Sequence, residues 1–149
     1  MSLSNSAENN LLVLIFNNTN WANVGDATGL RGSTTAGSFF ASLHTASVGE
    51  TGNQSTNEAT WTNYARVGVA RSGSGWTVSG TAPTQAANTS ATTYASSGSG
   101  PQTMTDFCVG RDSSGAGEAL WFGTLTLPLV VNTGITPSFA AGNMVCTAD

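Results

Sequence analysis

Few residues in this sequence have side chains that could carry chemistry. There is one histidine, His44, together with two cysteines, Cys108 and Cys146, and eight carboxylates. A nucleophile activated by a base, a zinc site or a glycosidase carboxylate pair would have to come from this set. Zinc would need carboxylates to complete its four ligands, and no two carboxylates stand out as a pair. We therefore predict no catalytic residue, no metal and no cofactor.

The motifs of the common enzyme classes are also missing. The chain has no Gly-x-Ser-x-Gly, no Gly-rich phosphate loop that ends in Lys-Ser or Lys-Thr, and no Gly-x-Gly-x-x-Gly. Asp112-Ser113-Ser114-Gly115 lacks the spacing of an EF-hand and indicates a hairpin turn. The sequence predicts a protein that is not an enzyme.

The two cysteines cannot define a disulfide framework. No signal-peptide pattern opens the sequence, so we expect a reducing environment. Cys108 and Cys146 are predicted to be buried free thiols.

Composition favours β structure. Thr, Ser, Asn and Gly make up nearly half of the chain, while charged residues are only 8% and Lys is absent. Thr and aromatic residues suit strands, and Gly and Asn suit turns. A hydrophobic content of 39% argues against general disorder.

The N-terminal segment predicts a helix from about Ser6 to Phe16. Asn5 and Glu8 resemble a capping box, and apolar residues recur at helical spacing. This stripe either packs on the domain core or binds a partner, and both interpretations stay open. The candidate interface residues are Leu11, Leu14, Ile15, Phe16 and Arg31.

Short strands separated by turn clusters follow from Phe39 onward. Eight runs fit strands, among them Phe39–Leu43, Met104–Val109, Leu120–Leu125 and Leu129–Val131. The predicted fold class is all-β: an antiparallel β-sandwich or jelly roll of about eight strands with a short N-terminal helix. We divide the chain into a helix (1–20), an arm or long loop (21–38) and a β-sandwich domain (39–149).

Charge limits the range of partners. Four Arg and no Lys, with a net charge of −4, disfavour nucleic acid and anionic membranes. The longest apolar run, residues 11–16, is much shorter than the roughly 20 residues needed to cross a bilayer.

Several stretches along the chain carry a resemblance to known proteins. They are Leu3-Ser4-Asn5 with Ala7-Glu8-Asn9 and Leu11-Leu12, Ala41–Ala46, Tyr64-Ala65-Arg66, Thr105–Gly110 with the Asp112 turn, Leu120–Gly123 with Leu125, Asn132-Thr133-Gly134 and Phe139–Gly142. The chain resembles a family of small tailed-bacteriophage virion structural proteins, which are labelled tail fibre, minor capsid, or capsid cement or decoration protein. The resemblance spans nearly the whole chain and carries no catalytic residue.

The resemblance implies a non-enzymatic virion protein, made in the host cytoplasm and located on the capsid surface. We expect a capsid cement protein that binds the major capsid protein and stabilises the assembled head. The alternative is a tail-fibre or receptor-binding module, in which Trp61 and Trp76 stack on host surface glycans unless they belong to the core. By analogy with local three-fold sites on shells, we also expect a homotrimer.

Overall fold

The computed structural model describes residues 3–80 and 83–148. These residues form one helix and nine strands, arranged in antiparallel sheets. The predicted all-β class with a short N-terminal helix is therefore confirmed. The elements are α1 (Asn5–Asn17), β1 (Ser38–His44), β2 (Val67–Ala70), β3 (Trp76–Ser79), β4 (Thr84–Asn88), β5 (Thr92–Thr93), β6 (Gln102–Gly110), β7 (Ala119–Val131), β8 (Ser138–Phe139) and β9 (Val145–Ala148).

The chain folds into two compact units, each made of non-adjacent segments. The first contains the residues up to Ser38, Val69–Ala91 and the residues from Phe139 onward. The second contains Phe39–Gly68 and Thr92–Ser138. The predicted division into a helix (1–20), an arm or long loop (21–38) and a β-sandwich domain (39–149) stays a prediction.

Helix α1 and its N-cap each begin one residue earlier than predicted. Ser4, not Asn5, is the N-cap, and its hydroxyl accepts a hydrogen bond from the Ala7 amide at 3.3 Å. The predicted pairing of Asn5 with Glu8 was therefore wrong by one position. The helix ends at Asn17, followed by Asn18 in a left-handed conformation, as the Asn-rich sequence there predicts.

One face of α1 forms the core of the first unit. Leu12 and Phe16 are fully buried, and the Phe16 ring packs edge-on against Trp76 with ring centroids 4.7 Å apart. Glu8 is buried as well, and its carboxylate accepts a hydrogen bond from the Thr84 hydroxyl at 3.2 Å. These contacts attach the helix to β3 and β4.

Arg71 binds the C-terminal end of α1, which has no basic residue in its own last turn. Its guanidinium donates to the carbonyl oxygens of Ile15 at 2.7 Å and Leu14 at 3.3 Å, and also to that of Ala36 at 3.1 Å. A cation at this end donates hydrogen bonds to helix carbonyls that have no partner within the helix. It also interacts favourably with the negative end of the helix dipole.

The first unit contains a three-stranded sheet in the order β3-β4-β9. Its central strand, β4, was missed because its sequence, TQAAN, has no apolar alternation. Its fully or nearly fully buried positions are Thr84, Ala86 and Asn88. At Asn88 the buried side chain is held by hydrogen bonds instead of apolar contacts. It donates to the Ser90 and Ala140 carbonyls and accepts from the Met144 amide.

The second unit is organised around a four-stranded sheet in the order β2-β1-β6-β7. In the register of β1 with β6, Ser42 lies opposite Cys108 and His44 opposite Asp106. Cross-strand partners share a face of an antiparallel sheet, so these four buried polar or sulfur-containing side chains lie on one face. The short strands β5 and β8 form a separate pair.

Both cysteines are free and buried, as predicted. Burial raises the pKa of the Cys108 thiol to about 11, so this thiol stays protonated at neutral pH.

Candidate interaction surface

The single histidine forms a buried pair with a serine. Ser42 Oγ lies 2.8 Å from His44 Nε2, and His44 Nδ1 lies 2.8 Å from the Thr56 carbonyl oxygen. The carbonyl can only accept, so Nδ1 carries the proton and Nε2 accepts from the Ser42 hydroxyl. Both side chains are fully buried, and burial lowers the pKa of His44. The arrangement resembles a nucleophile and its base, but a substrate has no access to it in this conformation.

A buried ion pair lies in the same unit. Arg66 donates to Glu58 through Nε at 2.6 Å and through a terminal nitrogen at 2.7 Å, and the Tyr64 hydroxyl donates to the same carboxylate at 3.0 Å. The Glu58 carboxylate raises the pKa of Arg66, and burial raises the pKa of Tyr64. Arg66 therefore remains charged and paired with Glu58.

The same arginine holds the loop between β6 and β7. Its terminal nitrogens donate to the carbonyl oxygens of Asp112 at 2.9 Å and Gly115 at 2.7 Å. Buried Gln54 adds an acceptor for the Asp112 amide, and its side chain lies so close to Gly110 that a Cβ there would meet it at 2.2 Å. The predicted Asp112 turn is thus a loop that hydrogen bonds from the buried side chains of Arg66 and Gln54 hold in place.

Strand β7 is the terminal strand of the four-stranded sheet. It spans 13 residues, which the sequence divided into two strands, and none of them is charged. Leu127 is 78% exposed and Val130 is 50% exposed. We call residues 119–131 the β7 edge, and it is an uncharged surface on which Thr124 and Thr126 are exposed beside the apolar side chains.

A bulge shapes the middle of the β7 edge. Leu129 lies opposite Met104 and Thr124 lies opposite Asp106, so residues 125–128 of β7 face only Thr105 of β6. The extra residues leave the ladder, and Leu127 is among them. Pro128, which has no amide hydrogen to donate, occupies a position typical for proline at a sheet edge.

The predicted interface residues on and after the helix differ in exposure. Phe16 is buried against Trp76, which favours core packing for this residue. Leu11, Leu14 and Ile15 are partly exposed, and Arg31 is exposed. Their role in binding a partner stays a prediction.

The tryptophans proposed for glycan stacking are not available at the surface. Trp61 is 4% exposed and packs edge-on against Tyr64, and Trp76 is fully buried. Stacking on host glycans through these two residues was therefore wrong, and the core interpretation is confirmed.

Residues 3–80 and 83–148 provide neither a metal site nor a membrane-spanning helix. No three or more His, Cys, Asp or Glu side chains among them lie together so that they could hold a metal ion. Helix α1, which these residues form, is not long and apolar enough to span a membrane.

The fold and these surfaces define a β-rich protein whose histidine and two cysteines are buried and whose exposed edge strand carries no charge. The family model described as "Podophage GP4 fiber I protein gp80" matches residues 2–147. The chain belongs to this family and is a structural component of the phage virion. No curated protein matches it.

Proposed function

We propose that the protein is a non-enzymatic subunit of the phage fibre and acts by binding other virion proteins. The observation that carries this proposal is the β7 edge, where two large apolar side chains are exposed on a strand without charge. Exposed apolar patches mark interaction sites more often than isolated apolar residues do. The family description supports the assignment to a fibre.

The chemistry of the surface suits permanent assembly. Only 8% of the residues are charged, so contacts depend on apolar burial and neutral hydrogen bonds. Such contacts change little with ionic strength, because salt screens mainly interactions between charges. A virion protein that meets changing salt outside the host benefits from this property.

A capsid cement role is the second candidate. The low charge that suits a fibre also suits repeated packing on a head, where the protein would bind the major capsid protein and stabilise the assembled state. In that case the protein lies on the capsid surface.

A receptor-binding role would need a different glycan site. Trp61 and Trp76 are buried, so the argument for binding a host glycan loses the residues on which it rested.

Location and copy number test the proposal. We would measure the stoichiometry of purified particles by quantitative mass spectrometry and locate the protein by antibody labelling in electron micrographs. A few copies at the tail are expected. Many copies distributed over the head would replace the fibre role with the cement role, and absence from particles would reject both.

We further propose that the subunit acts as a homotrimer. Few surface charges leave little repulsion between copies, and symmetric association repeats one favourable interface. Sedimentation velocity of the purified protein tests the stoichiometry. A dimer at all concentrations would contradict it.

A further inference from the structure

We infer that the Ser42–His44 pair is a proton-binding site inside the folded protein, in which the Ser42 hydroxyl reverses its hydrogen bond as His44 takes up a proton. Both side chains are fully buried in the second unit, and local opening of the fold brings them into exchange with solvent. The chemistry of the pair does not depend on where the protein lies in the virion.

The Ser42 hydroxyl has two acceptors within reach. Its oxygen lies 2.8 Å from His44 Nε2 and 3.4 Å from the carbonyl oxygen of Cys108, the residue opposite Ser42 on β6. A hydroxyl donates one hydrogen and also accepts hydrogen bonds. While His44 is neutral, the hydrogen points along the shorter contact, because Nε2 is then an acceptor.

Protonation of His44 reverses the hydrogen bond between the two side chains. The proton binds Nε2, so that both ring nitrogens donate and Ser42 Oγ becomes the acceptor for Nε2–H. The hydrogen of the Ser42 hydroxyl turns to the Cys108 carbonyl, and His44 Nδ1 continues to donate to the Thr56 carbonyl oxygen. Each of these polar groups therefore has a hydrogen-bond partner in both protonation states.

Charged groups of both signs surround His44. Burial lowers the pKa of His44, so the site takes up a proton only below the ordinary value of 6.5. Glu58, which bridges to His44 from the loop after β1, and Asp106, which lies opposite it on β6, raise this pKa. Arg66 lowers it. The neutral titratable groups beside the pair are Cys108 and Tyr64.

A proton site of this kind limits the loss of stability in acid. Between the pKa of the unfolded chain and the lower pKa of folded His44, only the unfolded chain binds the proton, and the unfolding constant rises up to about tenfold per pH unit. Below the folded pKa both states bind the proton and this rise stops. An interior with no acceptor for Nε2–H would lose stability over a wider range of pH.

Nitrogen NMR of the natural full-length protein tests the inference. His44 is the sole histidine, so the ring signals of a protein that contains isotope-labelled histidine have one source. At neutral pH, Nδ1 should carry the proton and Nε2 should have the chemical shift of an acceptor. As the pH falls below 6.5, the Nε2 signal should move to its protonated position while the backbone amide spectrum remains that of the folded protein.

A pair of variants tests the role of the Ser42 hydroxyl. Ser42→Ala leaves Nε2–H of the protonated ring without an acceptor, and a buried charged donor without a partner costs more than a neutral acceptor without one. The pH at which folded His44 is half protonated should therefore fall by about one unit, which is a tenfold loss of proton affinity. Ser42→Thr keeps the hydroxyl and should retain the natural midpoint. A purely structural role of Ser42 would change stability without moving the midpoint.

Three results would overturn the inference. The first is an Nε2 signal that moves only as the folded amide signals disappear, because His44 is then protonated only in the unfolded chain. The second is a proton on Nε2 at neutral pH, since the Ser42 hydroxyl would then already point to Cys108. The third is a Ser42→Ala protein with the natural midpoint. If Ser42→Ala does not fold, the spectra of the natural protein decide between the outcomes.

Discussion

The interior of the second unit and its β7 edge differ in polarity in an unusual way. The interior contains a fully buried histidine and glutamine and an ion pair in which Arg66 is buried and the Glu58 side chain is 16% exposed, whereas the β7 edge exposes leucine and valine to solvent. Arg66, His44 and the Gln54 side-chain oxygen are hydrogen-bonded to other parts of the same unit, while Leu127 is 78% and Val130 50% exposed at the edge. Polar contacts therefore fix the shape of this unit, whereas two large apolar side chains are exposed at its edge.

The largest expected effect comes from breaking the buried ion pair. Arg66→Met should lower the free energy of unfolding by up to about 3–5 kcal/mol, because it leaves the Glu58 carboxylate, whose side chain is only 16% exposed, without its cation. Chemical denaturation measures this value. Arg111→Met is the matched control: the Arg111 side chain is 63% exposed, and its ion pairs should contribute within about 1 kcal/mol.

A double variant separates charge from packing at this site. If Arg66→Met together with Glu58→Gln is more stable than Arg66→Met alone, the uncompensated charge causes the loss. Equal stability of the two would mean that the hydrogen bonds of Arg66 to the β6–β7 loop matter more.

A smaller loss is expected at the Ser42–His44 pair. Ser42→Ala removes the hydroxyl that His44 Nε2 accepts from, and an unpaired buried acceptor costs about 1–3 kcal/mol. Thermal and chemical denaturation should both show it. The same change at exposed Ser113 should have an effect within about 0.5 kcal/mol.

Lowering the pH should reduce the free energy of unfolding of the natural protein, because His44 is buried. Burial lowers the pKa of His44 in the folded state below its ordinary value of 6.5, so near that pH the unfolded chain binds the proton more readily. Stability should therefore fall as the pH is lowered through about 6.5. His44 is the sole histidine, so His44→Gln should remove this part of the pH dependence. A natural protein that gains stability over the same interval would contradict the neutral, buried state of His44.

The smallest effect on stability is expected at the β7 edge. Leu127→Asp should change the free energy of unfolding of the isolated chain by no more than about 0.5 kcal/mol, since the side chain is 78% exposed. Denaturation at a concentration where the natural protein is also dissociated measures this. A large loss would mean that Leu127 packs within its own chain, and the contrast between interior and edge would fail.

The sequence predicted elements in which the local pattern and the tertiary environment agree. Helix α1 and strands β1 and β6 lie where apolar periodicity places them. Strand β4 was missed because hydrogen bonds of Asn88 and Thr84, rather than apolar side chains, secure its buried positions. Strand β7 was divided because Thr126 and Pro128 interrupt its apolar run.

The buried network and the β7 edge depend on contacts distant in sequence. Glu58 and Arg66 are eight residues apart, but Arg66 also reaches Asp112 and Gly115, and no local pattern reports such contacts. The exposure of Leu127 follows from the position of β7 at the end of the sheet and from its bulge. The alternation of apolar and polar residues in the sequence reports neither the place of β7 in the sheet nor its bulge.

The strand order of the first unit also sets the timing of its folding during synthesis. Strand β4 pairs with β3 on one side and with β9 on the other, and β9 follows β4 by roughly 60 residues. At synthesis rates of about 5–20 residues per second, roughly 3–12 s pass between the synthesis of β4 and that of β9. During this time one edge of β4 has no partner strand. Throughout that interval the nascent chain is open to strand exchange with neighbours on the same messenger RNA. Slower translation of the intervening segment would lengthen this exposure and lower the yield of correctly folded protein.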